Sequence, residues 1–106
     1  MNKQVRPITP EEALKQQLNS IPDFVIEAVN GLIVKEFEQI GESAVVRQDD
    51  IIHAIQEIEP VESSVIFKNK WLDFEKIYEE AGWNVDYDSP GYNEHYPAIF
   101  VFTKKQ

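Results

Sequence analysis

The last apolar run of the sequence, residues 98–103, restricts the possible folds more than any other stretch. Its side chains are apolar in both alternating sets, which are Ala98, Phe100 and Phe102 in one and Ile99 and Val101 in the other. A strand with two apolar faces is typical of the centre of a sheet, or of a strand covered on both sides. The preceding run, residues 83–88, alternates apolar with polar side chains, which predicts a strand with one face in water. Residues 89–92 (S-P-G-Y) between the two runs fit a type II turn, so residues 82–102 predict a β-hairpin.

Four helices and one short strand are predicted before this hairpin. Residues 9–12 (T-P-E-E) form a capping box that starts a first helix, which reaches about Asn19. Apolar residues at spacings of three and four then predict a long core helix that includes Phe37 and Ile40 and stops at Gly41. Residues 43–48 are a brief β-type run, which must pair with another strand.

The third and fourth helices are predicted in the second half of the chain. Asp49 is expected to cap the third helix, which has a single isoleucine-rich face and ends at Pro60. Residues 61–69 fit either a turn of helix or an extended segment. The fourth helix is predicted from about Lys70 to Ala81.

This order of elements predicts an α+β fold: helix-helix-strand-helix-helix-strand-strand. Apart from the first helix, it is the order of a winged helix, in which the hairpin is the wing and the last strand lies between the other two. The connection between the third and fourth helices exceeds the ~3–4 residues of a compact helix-turn-helix. A generic α+β domain with a small antiparallel sheet is therefore the alternative. We expect residues 1–8 to form a flexible tail and residues 9–106 to form a single winged-helix-like domain.

Composition narrows the chemistry that the chain can perform. The 42% hydrophobic and 27% charged fractions are those of an ordinary globular protein, and the absence of cysteine excludes disulfides and thiolate metal sites. No run approaches the ~20 apolar residues of a membrane span, so we expect no membrane partner and a cytoplasmic location. No phosphate-binding glycine loop, nucleophile elbow or metal-ligand spacing occurs. The sequence therefore predicts no catalytic residue, no cofactor and no metal site.

Negative charge collects around the predicted hairpin. Residues 71–96 contain seven acidic residues and one lysine, within a chain of net charge −9. Such a surface repels phosphates, so a protein partner is the preferred prediction. The tip of the hairpin mixes aromatic and polar groups as interface hot spots do, although both tyrosines could instead fold back and hold the loop. The predicted partner-binding residues are Asp73, Lys76, Glu79 and Glu80 on the fourth helix and Tyr92, Asn93, Glu94, His95 and Tyr96 at the tip.

Two stretches also carry a resemblance to known proteins. They are I-P-x-F-V-x-E-A-x-N at residues 21–30 and W-L-x-x-E-x-I-Y-x-x-A-G-W-x-V-x-Y-D-x-P-G-Y-N-E-x-Y at residues 71–96. Through them, residues 9–105 resemble a group of small uncharacterised proteins encoded by bacteriophages and prophages. The resemblance implies a phage or prophage origin and a bacterial host cell, and it implies no activity.

Two alternative functions follow from the charge distribution. The first is DNA binding through the basic ends and two central lysines, with phosphate contacts from Lys3, Arg6, Lys68, Lys70, Lys104 and Lys105. The second is mimicry of DNA, in which spaced carboxylates occupy a basic surface of a host protein. An acidic surface that serves only solubility is the ordinary alternative to both.

Overall fold

A computed structural model describes residues 6–18 and 20–106, without the side chains of residues 17 and 18. Lys3, most of the predicted tail and the expected end of the first helix at Asn19 lie outside these ranges. The described chain contains five helices and one three-stranded antiparallel sheet, so the predicted α+β class is confirmed. The elements in order are α1 (Pro10–Leu18), α2 (Asp23–Glu36), β1 (Ser43–Arg47), α3 (Gln48–Ile58), α4 (Ser63–Lys68), α5 (Glu75–Glu80), β2 (Trp83–Asp88) and β3 (Ile99–Lys104).

The last strand occupies the centre of the sheet, as its two apolar faces predicted. The strand order is β1-β3-β2, and β3 pairs antiparallel with both neighbours. Phe100 and Phe102 point into the core and are buried, whereas Ile99 and Val101 lie on the opposite face and are half-buried. Strand β3 starts at Ile99, so Pro97 and Ala98 lie before it.

The hydrophobic core lies between one face of the sheet and the helices. Val25 and Val29 of α2 and Ile51 and Ile55 of α3 are fully buried. Phe74, just before α5, is also fully buried, and its ring lies 4.9 Å from that of Phe100. Each fully buried side chain of this size contributes roughly 1.5–3 kcal/mol relative to an exposed one, so this layer holds the helices against the sheet.

The capping box at α1 is confirmed. The backbone N–H of Glu12 donates to the hydroxyl of Thr9 at 3.1 Å, and that hydroxyl donates to the Glu12 carboxylate at 3.1 Å. These contacts satisfy one of the free N–H groups at the helix start, which a short peripheral helix otherwise leaves to water.

The predicted end of the core helix is wrong. Helix α2 stops at Glu36, and Phe37 is already extended. The backbone of Glu38 pairs instead with Ser43 in both directions, at 2.8 and 3.3 Å. This pairing starts the sheet, and the chain reverses through residues 39–42 with Glu42 at a φ of 48°. Because a β-bridge competes for the same backbone groups as the helix, Ile40 lies outside both the helix and the core.

The predicted cap of the third helix is also wrong. Helix α3 begins at Gln48, directly after β1, and no side chain caps it. The backbone N–H of Gln48 donates to the carbonyl of Ala98 at 2.9 Å. Pairing with the residue before β3 thus satisfies the N–H at the helix start, and Asp49 falls in the first turn instead.

The fourth predicted helix is shorter than expected, and a separate helix precedes it. Residues 63–68 form α4, whose end is a Schellman motif: the N–H of Trp71 donates to the carbonyl of Ile66, and that of Lys70 to the carbonyl of Phe67, both at 3.1 Å. Lys70 has a φ of 57° and holds the left-handed position. The turn directs the Trp71 ring edge-to-face onto Phe24, with the centroids 5.3 Å apart. Helix α5 therefore starts only at Glu75.

Candidate functional site

The hairpin tip, defined here as residues 89–98, is held by a turn two residues later than predicted. The N–H of Glu94 donates to the carbonyl of Gly91 at 3.1 Å, and Asn93 has a φ of 73°. The left-handed residue of the turn is therefore Asn93 and not Gly91, since a short amide side chain tolerates this conformation. The Glu94 carboxylate also accepts the N–H of Gly91 at 2.9 Å. Backbone and side chain together close the same four-residue turn.

Tyr96 folds back onto the hairpin. Its hydroxyl lies 3.0 Å from the Asp88 carboxylate and 2.9 Å from the carbonyl of Ser89, and it can donate to either. Its side chain remains 37% exposed. Partial burial, followed by the hydrogen bond and the negative charge of Asp88, raises the pKa of Tyr96 above its ordinary value. Tyr96 thus anchors the base of the tip.

Tyr92 does the opposite and projects from the apex. Its side chain is 96% exposed, although it lies inside the hydrogen-bonded turn between Gly91 and Glu94. Asn93 and His95 beside it are exposed as well. The two tyrosines therefore differ: Tyr96 is partly covered by the hairpin, whereas Tyr92 is open to another molecule.

The charged residues predicted on the fourth helix do not form one surface with the tip. Lys76 and Glu79 make an ion pair of 3.6 Å, and with Glu80 they line a shallow depression that also includes Leu14, Asn84 and Lys105. Helix α5 leads directly into the start of β2, whereas the tip follows its end. A strand of this length spans about 20 Å, so the depression and the tip lie at opposite ends of β2.

Asp73 lies in a different place, in a groove between α4 and the sheet. The groove has a volume of about 210 Å³, below the ~300 Å³ at which ligand pockets usually begin. Lys70, Asp73, Glu75 and Tyr87 line its polar side, and the Tyr87 hydroxyl lies 2.9 Å from the Gln48 side-chain oxygen. Partial burial, together with the charges of Asp73 and Glu79, raises the pKa of Glu75.

Of the five basic residues proposed for DNA contact that the structure describes, three are engaged within the chain. Arg6 pairs with Glu12 at 3.5 Å, and Lys104 pairs with Glu42 at 3.8 Å. The Lys105 ammonium donates to the carbonyl of Glu79 at 2.7 Å. Lys68 and Lys70 are exposed near the end of α4.

Sequence reasoning missed one apolar surface, which we call the Phe37 patch (Val34, Phe37 and Trp83). Val34 is 78% exposed, and Ile40, three residues after Phe37 in the chain, is fully exposed. The rings of Phe37 and Trp83 meet edge-to-face at 5.9 Å beside an open, shallow depression of about 330 Å³. The spacing of Phe37 and Ile40 matches a buried helix face, so periodicity placed both of them in the core helix. The sequence feature that could have revealed this surface is the wide apolar arc of α2, which one neighbouring layer cannot cover completely.

Across residues 6–18 and 20–106, no group of three or more histidine or acidic side chains is arranged to hold a metal ion. None of the helices described is long and apolar enough to cross a bilayer.

These features define the class of the chain as a small α+β protein with a three-stranded sheet and an ordered, tyrosine-bearing hairpin tip. No protein-family model, curated protein sequence or solved structure matches it. The resemblance to phage and prophage proteins therefore stays a prediction.

Proposed function

We propose that this chain is a non-enzymatic, winged-helix-like binding module of phage or prophage origin, which binds a protein partner in the cytoplasm of a bacterial host. The order of elements and the central position of β3 support the winged-helix-like part of the proposal. The additional helix α4 accounts for the long connection between the third predicted helix and α5.

The observation that carries the proposal is the contrast between Tyr92 and its surroundings. The turn around it is closed by two hydrogen bonds, and Tyr96 anchors the base, yet the Tyr92 ring is almost entirely in water. Because the backbone of the turn is already ordered, mainly the two side-chain torsions of Tyr92 become fixed when its ring enters a pocket, and this low entropy cost is one reason why tyrosine is common at interfaces. Burial of Tyr92 by a partner would remove the largest exposed aromatic surface of the tip from water.

The charge around the tip indicates the character of the partner surface. Asp86, Asp88 and Glu94 lie in β2 or at the tip and are exposed. Like charges across an interface cost binding energy, so a basic rim around a pocket for Tyr92 is the complementary arrangement. The depression beside α5 is about 20 Å away along β2 and serves as a second contact only for a partner that spans that length.

A capture experiment tests this function. The wild-type chain and three variants are immobilised in equal amounts, and the proteins retained from a bacterial lysate are quantified by mass spectrometry. Tyr92→Ala is expected to lose the partner, because truncation of a hot-spot residue costs about 2 kcal/mol or more in binding. Val34→Ala, which truncates an exposed side chain of the Phe37 patch, is expected to retain it. Tyr96→Phe removes the hydroxyl that anchors the tip and is expected to weaken capture less than Tyr92→Ala does.

Loss of the partner with Val34→Ala and not with Tyr92→Ala would move the binding site to the Phe37 patch. Fluorescence anisotropy with duplex DNA tests the alternative function. Because three of the candidate basic residues are already engaged with carboxylates or a carbonyl, we expect no micromolar binding. Micromolar binding that weakens steeply with salt would refute the protein-partner proposal in favour of DNA.

A further inference from the structure

The sheet has a second face, which points away from the helices and which we call the outer sheet face. Its centre is an apolar strip of Val45, Ile99 and Val101. Val45 is 50% exposed, and the two β3 residues are half-buried between their neighbouring strands. An antiparallel sheet commonly keeps one solvated face, but that face is then polar along its length. Here the central strand keeps apolar side chains on both faces.

The two edges of this strip carry opposite charges. The register aligns Arg47 of β1 with Ile99 and then with Asp88 of β2, and it aligns Val45 with Val101 and then with Asp86. One edge is therefore basic at Arg47, and the other is acidic at Asp86 and Asp88. Within the described part of the chain, none of the three forms an ion pair within 4 Å.

This arrangement is complementary to itself. Consider two copies with their outer sheet faces together, related by a two-fold axis that runs parallel to β3. Strand β1 of each copy then faces β2 of the other, so Arg47 lies opposite Asp88 of the second copy, and this pair occurs twice. A two-fold axis across the strands would instead place Asp86 opposite itself. The charges therefore favour the first arrangement over the second.

We propose that the outer sheet face is a docking surface for a second copy of this chain. The apolar strip forms the centre of the contact, and two Arg47–Asp88 pairs set its orientation. With three strands about 4.8 Å apart and about five residues of 3.3 Å each, the outer sheet face covers roughly 200–300 Å² per chain. Because stable interfaces bury about 800 Å² per partner, the dimer is weak and forms only at high protein concentration.

Sedimentation equilibrium over a range of concentrations up to millimolar tests the docking surface. A buffer of about 150 mM salt screens the repulsion between two chains beyond about 8 Å. The weight-average mass of the wild type is expected to rise above the 12.3 kDa of one chain as concentration increases. Arg47→Glu and Asp88→Arg each turn two attractive pairs into two repulsive ones, so each is expected to weaken association at least about tenfold.

Two further samples distinguish direct pairing from an effect of net charge. In the double variant Arg47→Glu/Asp88→Arg, both pairs are restored with the charges exchanged and the net charge stays at −9. An equimolar mixture of the two single variants restores both pairs between unlike chains. Both samples are expected to associate as the wild type does.

The control for side effects is Tyr96→Phe, because Asp88 also contacts the Tyr96 hydroxyl. This variant leaves the outer sheet face intact and is expected to associate like the wild type. A wild type that stays at the mass of one chain at every concentration overturns the proposal. So does a double variant that remains as weak as the single ones. None of these changes alters Tyr92, so failure here leaves the proposed partner binding standing.

Discussion

Replacement of Tyr78 by phenylalanine should lower stability at neutral pH and remove part of the alkaline sensitivity of the fold. Tyr78 is buried between α5 and α2, and its hydroxyl lies 2.7 Å from the side-chain oxygen of Asn30 and 3.3 Å from the carbonyl of Ile26. Phenylalanine keeps the ring, which packs edge-to-face on Phe102 at 5.3 Å. The change therefore isolates the hydroxyl group.

The hydrogen bond determines the size of the effect at neutral pH. An intramolecular hydrogen bond contributes about 1 kcal/mol net. Asn30 is exposed, so water can replace the lost partner there, and no further penalty is expected. We expect Tyr78→Phe to lower the free energy of unfolding by about 1 kcal/mol, which corresponds to a fall in Tm of roughly 4–8 °C.

The pKa of Tyr78 determines the effect at high pH. Burial raises this pKa above its ordinary value of 10.0, so the folded state holds the proton more tightly than the unfolded state does. The stability contributed by this proton is complete below pH 10.0 and is lost as the pH rises above that value. By about pH 11 the loss is at most ~1.4 kcal/mol, and we expect about 1 kcal/mol because the hydroxyl is only partly buried.

The hydroxyl group of Tyr78 stabilises the fold at neutral pH, and its raised pKa removes this advantage at high pH. Urea denaturation at two pH values measures both effects. The wild type should be more stable than Tyr78→Phe at about pH 8, and the difference should nearly vanish at about pH 11. Tyr92→Phe is the matched control, since it removes a hydroxyl from an exposed ring and should match the wild type at both values. Equal stabilities at the lower pH, or an undiminished difference at the higher one, would refute the reasoning.

Two further substitutions test the turn before α5 and the adjacent groove. Lys70→Gly should raise the free energy of unfolding by about 0.5–1 kcal/mol in urea denaturation, because glycine adopts the left-handed conformation of the Schellman motif without strain; a less stable variant would contradict this. Glu75→Gln should raise stability by less than about 1 kcal/mol at neutral pH. Because the pKa of Glu75 is raised in the folded state, the protonated side chain stabilises the fold below pH 4.5. This stability is lost as the pH rises and the carboxyl group ionises. The gain should therefore disappear below pH 4.5 in the same assay, and a gain that persists in acid would exclude ionisation as its cause.

Local sequence determined the start of α1 and the position of the last strand in the sheet. The capping box of Thr9 and Glu12 involves residues three apart, so it forms wherever the helix forms. The apolar residues on both faces of β3 indicated a central strand, because the two neighbouring strands partly cover the side chains on both faces of the strand between them. These signals need no knowledge of distant segments.

Only the tertiary structure decided where α2 ends and which tyrosine is exposed. The end of α2 depends on whether Glu38 pairs with Ser43, and this pairing is stabilised by the sheet that β3 completes. Tyr92 and Tyr96 are the same residue type in the same loop, and they differ only because Asp88 and Ser89 lie within reach of Tyr96. Helix periods and caps involve residues a few positions apart, whereas these outcomes depend on segments that the fold brings together.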